Sequence, residues 1–378
     1  MNKKRICLVT SGHPPFDERI FWKFGKSLTE SGFSVAIICS TQEISKVVDG
    51  ISITGFEGNS FPKKTKIEYF YSLINQFNPD LIISSEMLPV FAVLKFKKEN
   101  PNTKIILDIT EWYPENVAFK FNGIKRWIKY FQLLLPYRYI LLKVDHLIIG
   151  EVSKKKRYDF IARSKPKTII GYYPVAKYFN SKKSDLLKEE IVLGYAGVIT
   201  FERGIKNLLQ TCISIAGKFP KKKFKLLLFG RFTYQQEETE FREMICEIKN
   251  LTVELVDWTD YDKMSPIIEK MDICFDLRKR NFIYSNSLPI KIFEYMACGK
   301  PFIYSDIKPI RVEMDFNKFG FLIDPENEKE IVSAIESYLN NPNLAYQHSM
   351  NARKLIEETK NWESESKKLI ELVNKLLS

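Results

Sequence analysis

Short apolar runs of about five residues alternate with longer helical patterns along the whole chain. The first run, residues 6–10, is followed by a helical pattern over 16–30 and by a second run at 35–39. Continuous apolar runs of this length are typical of strands buried on both faces of a parallel sheet. The pattern therefore predicts an α/β fold in which helices cover both faces of parallel sheets.

The 378 residues exceed one ordinary core and predict two domains. The alternation is interrupted by a polar, weakly patterned stretch at 177–190. We predict two Rossmann-like, doubly wound domains facing a central cleft, because such sheets bind ligands beyond the carboxyl ends of their strands. The predicted segments are an N-terminal, membrane-facing domain for the acceptor (1–175), a linker (176–190), a C-terminal donor domain (191–360) and a closing helix (361–378) that crosses back to the N-terminal domain.

Individual strands and helices follow from the same pattern. The predicted later strands of the first half are 81–83, 105–107, 147–149 and 168–170. Those of the second half are 191–195, 225–229, 252–255, 273–275 and 302–304. The predicted helices of the second half are 205–217, 236–248, 262–270, 289–297, 328–339 and 343–358, before the closing helix.

Basic residues are concentrated in the first half of the chain. The chain has 58 Lys and Arg against 46 Asp and Glu, a net charge of +12. Residues 1–190 hold 31 basic and 19 acidic side chains, whereas 191–378 are balanced; the basic segment 120–183 has 16 basic and only 3 acidic. No nucleic-acid-binding motif accompanies this charge. We therefore expect the basic segment to meet an anionic membrane surface, and expect no nucleic-acid partner.

A helical pattern within the basic segment carries an apolar stripe. Taken alone, the stripe favours packing on the sheet, while the summed charge of the segment favours the membrane surface. Pro136 is predicted to kink or end this helix. The residues of the stripe are Ile124, Trp127, Ile128, Phe131 and Leu135.

Several classes of protein are excluded. No apolar run approaches the roughly 18–20 residues of a membrane span, and the opening apolar run is too short for a signal peptide. The 6 cysteines are scattered without a CxxC pair, which predicts buried, reduced thiols in a cytoplasmic protein. With only 3 histidines, a His-rich metal site is not expected.

The segment 286–301 is the strongest candidate for ligand binding. It predicts a helix with Ser287 as its N-cap and Pro289 in its first turn. Lys291 and Glu294 are three residues apart and share a face near the helix start, where phosphate binds well. The alternative, favoured by spacing alone, is an ordinary capped helix with a surface ion pair.

A second candidate is the glycine-bounded loop 194–205. Gly197 and Gly204 permit a close backbone approach to a pyrophosphate, and Arg203 supplies positive charge at the same point. A tight strand–helix turn explains the pattern about equally well.

Two segments of the first half complete the candidates. Residues 108–115 follow a strand and combine acidic with aromatic side chains, which suits sugar binding, although the same segment also suits a helix cap. The turn 12–19 follows the first strand and carries Gly12 and His13; Asp17 is expected to cap the next helix and to pair with Arg19. A solvated loop histidine is the alternative role for His13.

In their order along the chain, these segments and the closing helix resemble family 4 of the nucleotide-sugar glycosyltransferases, which have the two-domain GT-B fold. The resemblance is carried by residues 12–35, "DITEWYPE", "GYAGVITFERGIKNLL", "NSLPIKIFEYMACGKPFI" and "NWESESKKLIELV". The donor-binding helix, residues 286–303, is its most specific part.

The resemblance implies roles position by position. Glu294 would bind the donor ribose, Arg203 the pyrophosphate, and Trp258 would lie near the base. Three positions depart from the family pattern: Asn286 replaces a glutamate that contacts the donor sugar, Val198 replaces a basic residue, and Thr110 replaces a histidine. The implied catalytic residues are Arg203, Lys291, Asn286, Glu111 and Thr110. The implied donor-binding residues are Gly12, His13, Gly197, Arg203, Arg231, Trp258, Ser287, Leu288, Pro289, Lys291 and Glu294, with Lys291 or Arg231 supplying the missing charge.

The family further implies transfer with retention of configuration, without a metal or a cofactor. The donor would be a nucleotide-sugar, UDP- or GDP-linked, and the acceptor a lipid-linked saccharide or oligosaccharide in cell-surface polysaccharide, capsule or lipopolysaccharide synthesis. We expect a cytoplasmic protein peripherally bound to the inner face of the membrane. The alternatives are a nucleotide-sugar epimerase of the same fold and a catalytically weak homologue that acts as a binding subunit.

Overall fold

The computed structural model describes residues 3–246, 248 and 251–378, which form two compact α/β units. Unit 1 runs to Tyr172 and also contains the closing segment Trp362–Ser378, whereas unit 2 comprises Tyr173–Asn361. Each unit contains one sheet covered by helices. The α/β class, the two Rossmann-like halves and the return of the closing helix to the first unit are as the sequence predicts.

Unit 1 is built on an eight-stranded sheet. Its strand order is β3-β4-β2-β1-β5-β6-β7-β8, and all neighbouring strands are parallel except β3 and β4. The strands are β1 (Arg5–Thr10), β2 (Ser34–Cys39), β3 (Ile44–Val48), β4 (Ile51–Gly55), β5 (Leu81–Ser84), β6 (Lys104–Ile109), β7 (His146–Ile149) and β8 (Lys167–Ile169).

The sequence did not predict β3 and β4, so the expectation of a purely parallel sheet was wrong at this edge. The β3 strand is half-exposed to exposed along its length and lies antiparallel to β4 at the sheet edge. An edge strand has one open side and needs no apolar run, so its sequence looks like a loop.

The first helical segment also differs from the predicted α-helix. Residues Glu18–Gly25 form a π-helix that continues into the short α-helix α1 (Lys26–Glu30). Asp17 caps the π-helix, as expected, because its carboxylate accepts hydrogen bonds from the Arg19 and Ile20 amides. π-Helical turns are rare and often lie at functional sites.

Five further α-helices and the closing helix complete unit 1. Pro136 lies inside α5 and does not end it, because the helix continues to Lys143. These helices are α2 (Lys63–Phe77), α3 (Met87–Glu99), α4 (Glu115–Ala118), α5 (Gly123–Lys143), α6 (Val152–Ile161) and, at the end of the chain, α15 (Trp362–Leu377).

Unit 2 is built on a six-stranded parallel sheet. Its order is β11-β10-β9-β12-β13-β14. The sequence did not predict β14, which is half-exposed at its middle and lies at the edge. The strands are β9 (Glu190–Ala196), β10 (Lys223–Phe229), β11 (Thr252–Val256), β12 (Ile273–Asp276), β13 (Phe302–Ser305) and β14 (Gly320–Ile323).

The helices of unit 2 largely follow the sequence periodicity. The predicted helix 262–270 is instead a 3-10 turn followed by one short α-helix, and residue 247 of the predicted helix 236–248 lies outside the described residues. The α-helices are α7 (Ile205–Lys218), α8 (Gln235–Cys246), α9 (Ser265–Ile268), α10 (Phe282–Asn286), α11 (Lys291–Ala297), α12 (Lys308–Glu313), α13 (Glu328–Asn340) and α14 (Pro342–Glu358). The 3-10 turns of this unit are Ala176–Tyr178, Phe201–Arg203, Tyr261–Lys263 and Phe316–Lys318.

Two expectations about composition can be compared with the fold. Five of the six cysteines are buried thiols, but Cys246 is exposed at the end of α8. Burial raises the pKa of the Cys7 thiol well above its ordinary value, so this thiol stays protonated. Within the described residues, no helix is both long and apolar enough to span a bilayer.

Candidate active site

The carboxyl ends of the central strands of unit 2 carry tightly packed glycine loops. Gly197 follows β9 and Gly230 follows β10, both with positive φ, and the Gly197 amide donates to the Phe229 carbonyl at 2.9 Å. A Cβ on Gly230 would lie 1.8 Å from the Gly197 carbonyl oxygen. No side chain fits between the loops, so both approach each other through bare backbone.

Arg203 lies at the end of the β9 loop. Gly204, which follows it, has φ +77°, and a Cβ there would lie 1.9 Å from the Leu277 carbonyl oxygen. The loop is thus pressed onto the segment after β12, and α7 begins directly after Gly204. The predicted pyrophosphate loop therefore has the close backbone geometry that its glycines imply.

A second arginine, which the sequence analysis missed, lies beside Arg203. Arg278 forms a buried bidentate pair with Asp276, with Nε 2.8 Å from Oδ1. Both arginines lie within 6 Å of the Tyr284 ring, at 5.8 Å for Arg203 and 5.4 Å for Arg278. Asp276 ends β12, so the rule that strand ends carry site residues would have found the pair.

The electrostatic surroundings keep Arg203 charged. Burial lowers the pKa of Arg203 and so does the neighbouring Arg278, but Tyr195 and Asp276 outweigh both and raise that pKa above its ordinary value. A permanent positive charge beside bare backbone suits an anionic ligand.

The donor-type helix brings three predicted residues together. The Lys291 ammonium lies 2.9 Å from the buried Glu294 carboxylate, so the predicted pair forms, although Glu294 is buried rather than on the surface. The same ammonium lies 4.5 Å above the ring of Trp258, which stacks on Phe229 at 5.2 Å. Lys291, Glu294 and Trp258 therefore form one cluster.

The start of this helix differs from the prediction. α11 begins at Lys291, two residues later than expected, and it is only seven residues long. Ser287 ends the preceding helix α10 instead of capping α11, and Pro289 is buried before the first turn. Asn286 is thus the last residue of α10, and residues 287–290 connect α10 to α11. The Asn286 amide donates to the Phe282 carbonyl at 2.7 Å.

Arg231 is placed differently from the other predicted cations. Its guanidinium makes a bidentate pair with Asp257, at 2.6 and 3.0 Å, and its side chain is 72% exposed. The hydrogen bonds to Asp257 raise the pKa of Arg231. Its charge is already balanced by a neighbour.

Unit 1 has a cavity of about 410 Å³ at the carboxyl ends of β1, β5 and β6. Strand register explains its position, because Val9 lies opposite Ser84 and Ser84 opposite Leu107. The loops that follow these three strands therefore meet at one edge. The four predicted residues of this unit all line the cavity: Gly12, His13, Thr110 and Glu111.

His13 is held between carboxylates rather than solvated. Its Nδ1 lies 3.1 Å from Asp17 Oδ2 and its Nε2 lies 3.4 Å from Glu86 Oε1. Burial alone lowers the pKa of His13, but Asp17, Glu86 and Glu111 outweigh it and raise the pKa to about 9. His13 is therefore a cation at neutral pH.

Glu86 is a cavity residue that the sequence analysis missed. Its carboxylate accepts hydrogen bonds from the Thr10 hydroxyl at 2.8 Å and from the Ser11 and Gly12 amides at 2.9 and 3.3 Å. Burial raises the pKa of Glu86. These bonds and His13 lower it by less, so the pKa remains above its ordinary value. Glu86 lies two residues after the end of the short strand β5, a position at which the strand-end rule would again have found it.

Arg19 does not pair with Asp17 through its side chain, as the sequence suggested. Its guanidinium forms a buried bidentate pair with Asp108, at 2.6 and 2.7 Å, and lies 3.9 Å from the centre of the Tyr172 ring. The π-helix turns Arg19 toward the end of β6, so Asp17 remains available to His13.

Thr110 and Glu111 contribute in different ways. The Thr110 carbonyl accepts a hydrogen bond from Lys154 Nζ at 2.9 Å, and Lys154 also pairs with Glu151 at 2.9 Å. Glu111 is exposed and accepts a hydrogen bond from the Asn116 amide. Thr110 is thus held at the cavity through its backbone carbonyl.

Comparisons with known proteins agree with this geometry. Residues 177–355 match the family model described as Glycosyl transferases group 1. An uncharacterized glycosyltransferase of Haemophilus influenzae is 23% identical over 376 residues, covering 95% of this chain and 96% of the relative. This chain is a glycosyltransferase with a GT-B fold.

Solved structures of similar fold cover nearly the whole glycosyltransferase chain. Sucrose-phosphate synthase from Thermosynechococcus elongatus has a TM-score of 0.76 at 15% identity, with 99% of each chain covered. HepE of Anabaena, solved with UDP and glucose, has a TM-score of 0.75 at 12% identity, covering 98% of this chain and 100% of HepE. At these identities the likeness concerns the fold. Assignment to family 4 stays a prediction.

Within the glycosyltransferase, the group 1 match contains every candidate of unit 2. It includes Arg203, Arg231, Trp258, Lys291 and Glu294. The candidates of unit 1 lie outside the matched range, so their place in the site depends on the cavity geometry.

Proposed function

We propose that this glycosyltransferase moves a sugar from a nucleotide-sugar to a lipid-linked saccharide of a cell-surface polysaccharide. The observation that carries the proposal is the glycine-lined edge of unit 2 inside the group 1 match, where Arg203 and Arg278 follow strands and Lys291 begins α11. A diphosphate needs compact positive charge and close backbone, and both occur here.

The donor binds in unit 2 in this proposal. Arg203 and Lys291 neutralise the diphosphate, and the buried Glu294, fixed by Lys291, meets the ribose. Arg278 lies close to Arg203, but its charge is largely balanced by Asp276, so the diphosphate depends mainly on Arg203 and Lys291. UDP-sugars are the first donors to test, since HepE was solved with UDP and glucose, followed by GDP-sugars.

Transfer proceeds with retention in this proposal. The bond between the donor sugar C1 and the diphosphate oxygen breaks while the acceptor oxygen bonds to C1 from the same face. The acceptor proton passes to the leaving phosphate. The reaction therefore needs no basic side chain at position 110, where this chain has threonine. Arg203 and Lys291 stabilise the charge that develops on the leaving group. The proposal includes neither a metal nor a cofactor, so activity is expected to survive a chelator.

The acceptor binds in the unit 1 cavity in this proposal, beside Thr110 and Glu111; Gly12 and His13, which the resemblance assigned to the donor, line the same cavity and would meet both substrates. Carboxylates and backbone groups on strand ends suit the hydroxyls of a saccharide.

The membrane part of the proposal depends on α5, where the structure corrects an expectation. The predicted apolar stripe does not pack on the sheet; its five residues are between 52% and 76% exposed, and the buried residues of α5 are Tyr137, Ile140 and Leu141. Exposed apolar residues on a basic helix suit the surface of an anionic bilayer. Each basic residue near the membrane adds roughly 1 kcal/mol. We place the protein at the inner face of the cytoplasmic membrane.

Donor turnover tests the enzyme assignment. Purified protein is screened with UDP-, GDP-, ADP- and dTDP-sugars, and Arg203→Ala and Glu294→Ala are compared with the parent on the best donor. The exposed Lys218→Ala, in the same unit, is the matched control. We expect at least a 100-fold loss of kcat/KM in Arg203→Ala and no change in the control. Unchanged turnover in both site variants would contradict the site, and absence of any turnover would favour a binding subunit.

Flotation with liposomes tests the membrane surface. Trp127→Ser with Phe131→Ser should reduce binding to anionic vesicles, while Val312→Ser, an equally exposed apolar residue of unit 2, should not. Equal flotation of all three proteins would contradict the role of α5. High salt should weaken binding if the basic segment contributes.

A further inference from the structure

We propose that the unit 1 cavity selects acceptors by charge: the sugar it holds presents hydroxyl or ammonium groups, not a carboxylate or phosphate. This inference depends on the proposed function, in which the same cavity holds the acceptor. It adds a substrate class, which neither the fold nor the comparisons give.

The lining of the cavity is acidic. Its titratable members in the described chain are His13, Glu86, Asp108, Glu111 and two tyrosines, and none of its lining residues is lysine or arginine. One cation therefore faces several carboxylates across a space of about 410 Å³.

The positive charges nearest to this cavity are already paired. Arg19 forms its bidentate pair with Asp108, Lys154 with Glu151, and Arg157 with Glu115. The carboxylates of these pairs are all buried. Since each cation has a carboxylate partner at hydrogen-bond distance, little positive charge extends into the cavity.

The remaining acidic groups exceed the remaining cation. His13 lies between Asp17 and Glu86, and Glu111 accepts its hydrogen bond from the neutral amide of Asn116. At most one of these three carboxylates is balanced by His13. The cavity thus keeps a negative excess in partly buried surroundings, where an incoming anion would be repelled.

The polar groups that face the cavity also accept hydrogen bonds. Carboxylate oxygens only accept, and Glu86 and Glu111 both line the cavity. Sugar hydroxyls and an amino group can donate to such oxygens, whereas a carboxylate or a phosphate dianion cannot. The lining hydroxyls of Ser85 and Thr110 can donate to either class of ligand, so the acceptor-only carboxylates and the charge set the preference.

The selection concerns the reacting sugar and not the whole acceptor. The basic segment 120–183 has 16 basic against 3 acidic residues, and its part up to Tyr172 belongs to the same unit. An anionic phosphate linker on the acceptor would favour that surface. The same acceptor can therefore carry a phosphate at its lipid end and an uncharged sugar in the cavity.

Equilibrium binding tests the inference with two probes that differ in one group. Octyl β-D-glucoside and octyl β-D-glucuronide, both below their micellar concentrations, are titrated into the full chain by calorimetry without donor. We expect the glucoside to bind at least tenfold more tightly. Glu111→Gln should reduce this preference several-fold, and Glu68→Gln, an exposed glutamate of the same unit paired with Lys95, should leave it unchanged.

Equal or tighter binding of the glucuronide would overturn the inference, as would failure of both glycosides to bind. An unchanged preference in Glu111→Gln, or an equal change in both variants, would also overturn it. The measurement needs no nucleotide-sugar, so its failure is distinguishable from failure of the proposed function, which donor turnover tests separately.

Discussion

The two units present opposite charges at equivalent places in their sheets. In unit 1, the loops after β1, β5 and β6 gather Glu86 and Glu111 around a single cation, His13. In unit 2, the segments after β9 and β12 gather Arg203 and Arg278. The same strand–helix architecture positions both sets, so the fold supplies the place and the residues at the strand ends decide which ligand suits it.

The comparison also corrects a simple interpretation of the net charge. Unit 2 holds the cationic edge, although residues 191–378 are balanced overall; the +12 belongs to residues 1–190, whose cavity is acidic. Net charge thus describes the outer surface of each half and says little about the site within it.

The largest expected effect comes from breaking the buried pairs that hold each set of charges. Asp276→Ala leaves the buried Arg278 without its carboxylate, and Arg19→Ala leaves the buried Asp108 without its guanidinium. We expect each to lower the free energy of unfolding by about 3 to 5 kcal/mol, measured by urea denaturation. Asp257→Ala, which breaks the exposed pair with Arg231, is the control and should leave the free energy of unfolding nearly unchanged. Similar losses in all three would show that burial does not set the energy of these pairs.

The glycine loops give the next largest difference between the units. Gly204 has positive φ and no room for a Cβ beside the Leu277 carbonyl, so Gly204→Ala must move backbone and should cost about 2 to 3 kcal/mol. A Cβ on Gly12 would meet only the Glu86 side chain, at 3.3 Å. Gly12→Ala should therefore cost less than about 1 kcal/mol. Thermal unfolding checks both, and equal losses would mean that both loops are equally tight.

The sequence predicted those parts of the fold and of the site that depend on residues close together in the chain. The apolar strands and the Lys291–Glu294 pair follow local spacing, and both were predicted. His13, Asp17 and Glu86 meet only because β1 pairs with β5, which local spacing does not contain. The π-helix is likewise invisible to a pattern of helical period.

The apolar stripe of α5 shows a different limit. Its spacing has the period of a helix face that packs on a core, and the structure exposes it. Periodicity identifies an apolar face but does not say what covers it. The basic residues around the stripe were the better indicator of its exposure, because a stripe that packs on a core needs no basic residues beside it.

The smallest predicted effect separates the two sets of charges by pH. His13 has a pKa of about 9 in the folded chain against 6.5 when unfolded, so its stabilising effect is complete below pH 6.5 and is lost as the pH rises through 9. The arginines of unit 2 do not titrate in this window. Because the His13 side chain is 34% exposed, solvent screening limits the expected loss to about 1 to 2 kcal/mol. Urea denaturation at pH 6.5 and 9.5 measures it, and His13→Gln should remove the pH dependence from this interval. If the unfolding free energy of His13→Gln changed with pH as much as that of the parent, His13 would not be the titrating group. The acidic cavity would then lack the cation that distinguishes it from a plain carboxylate cluster.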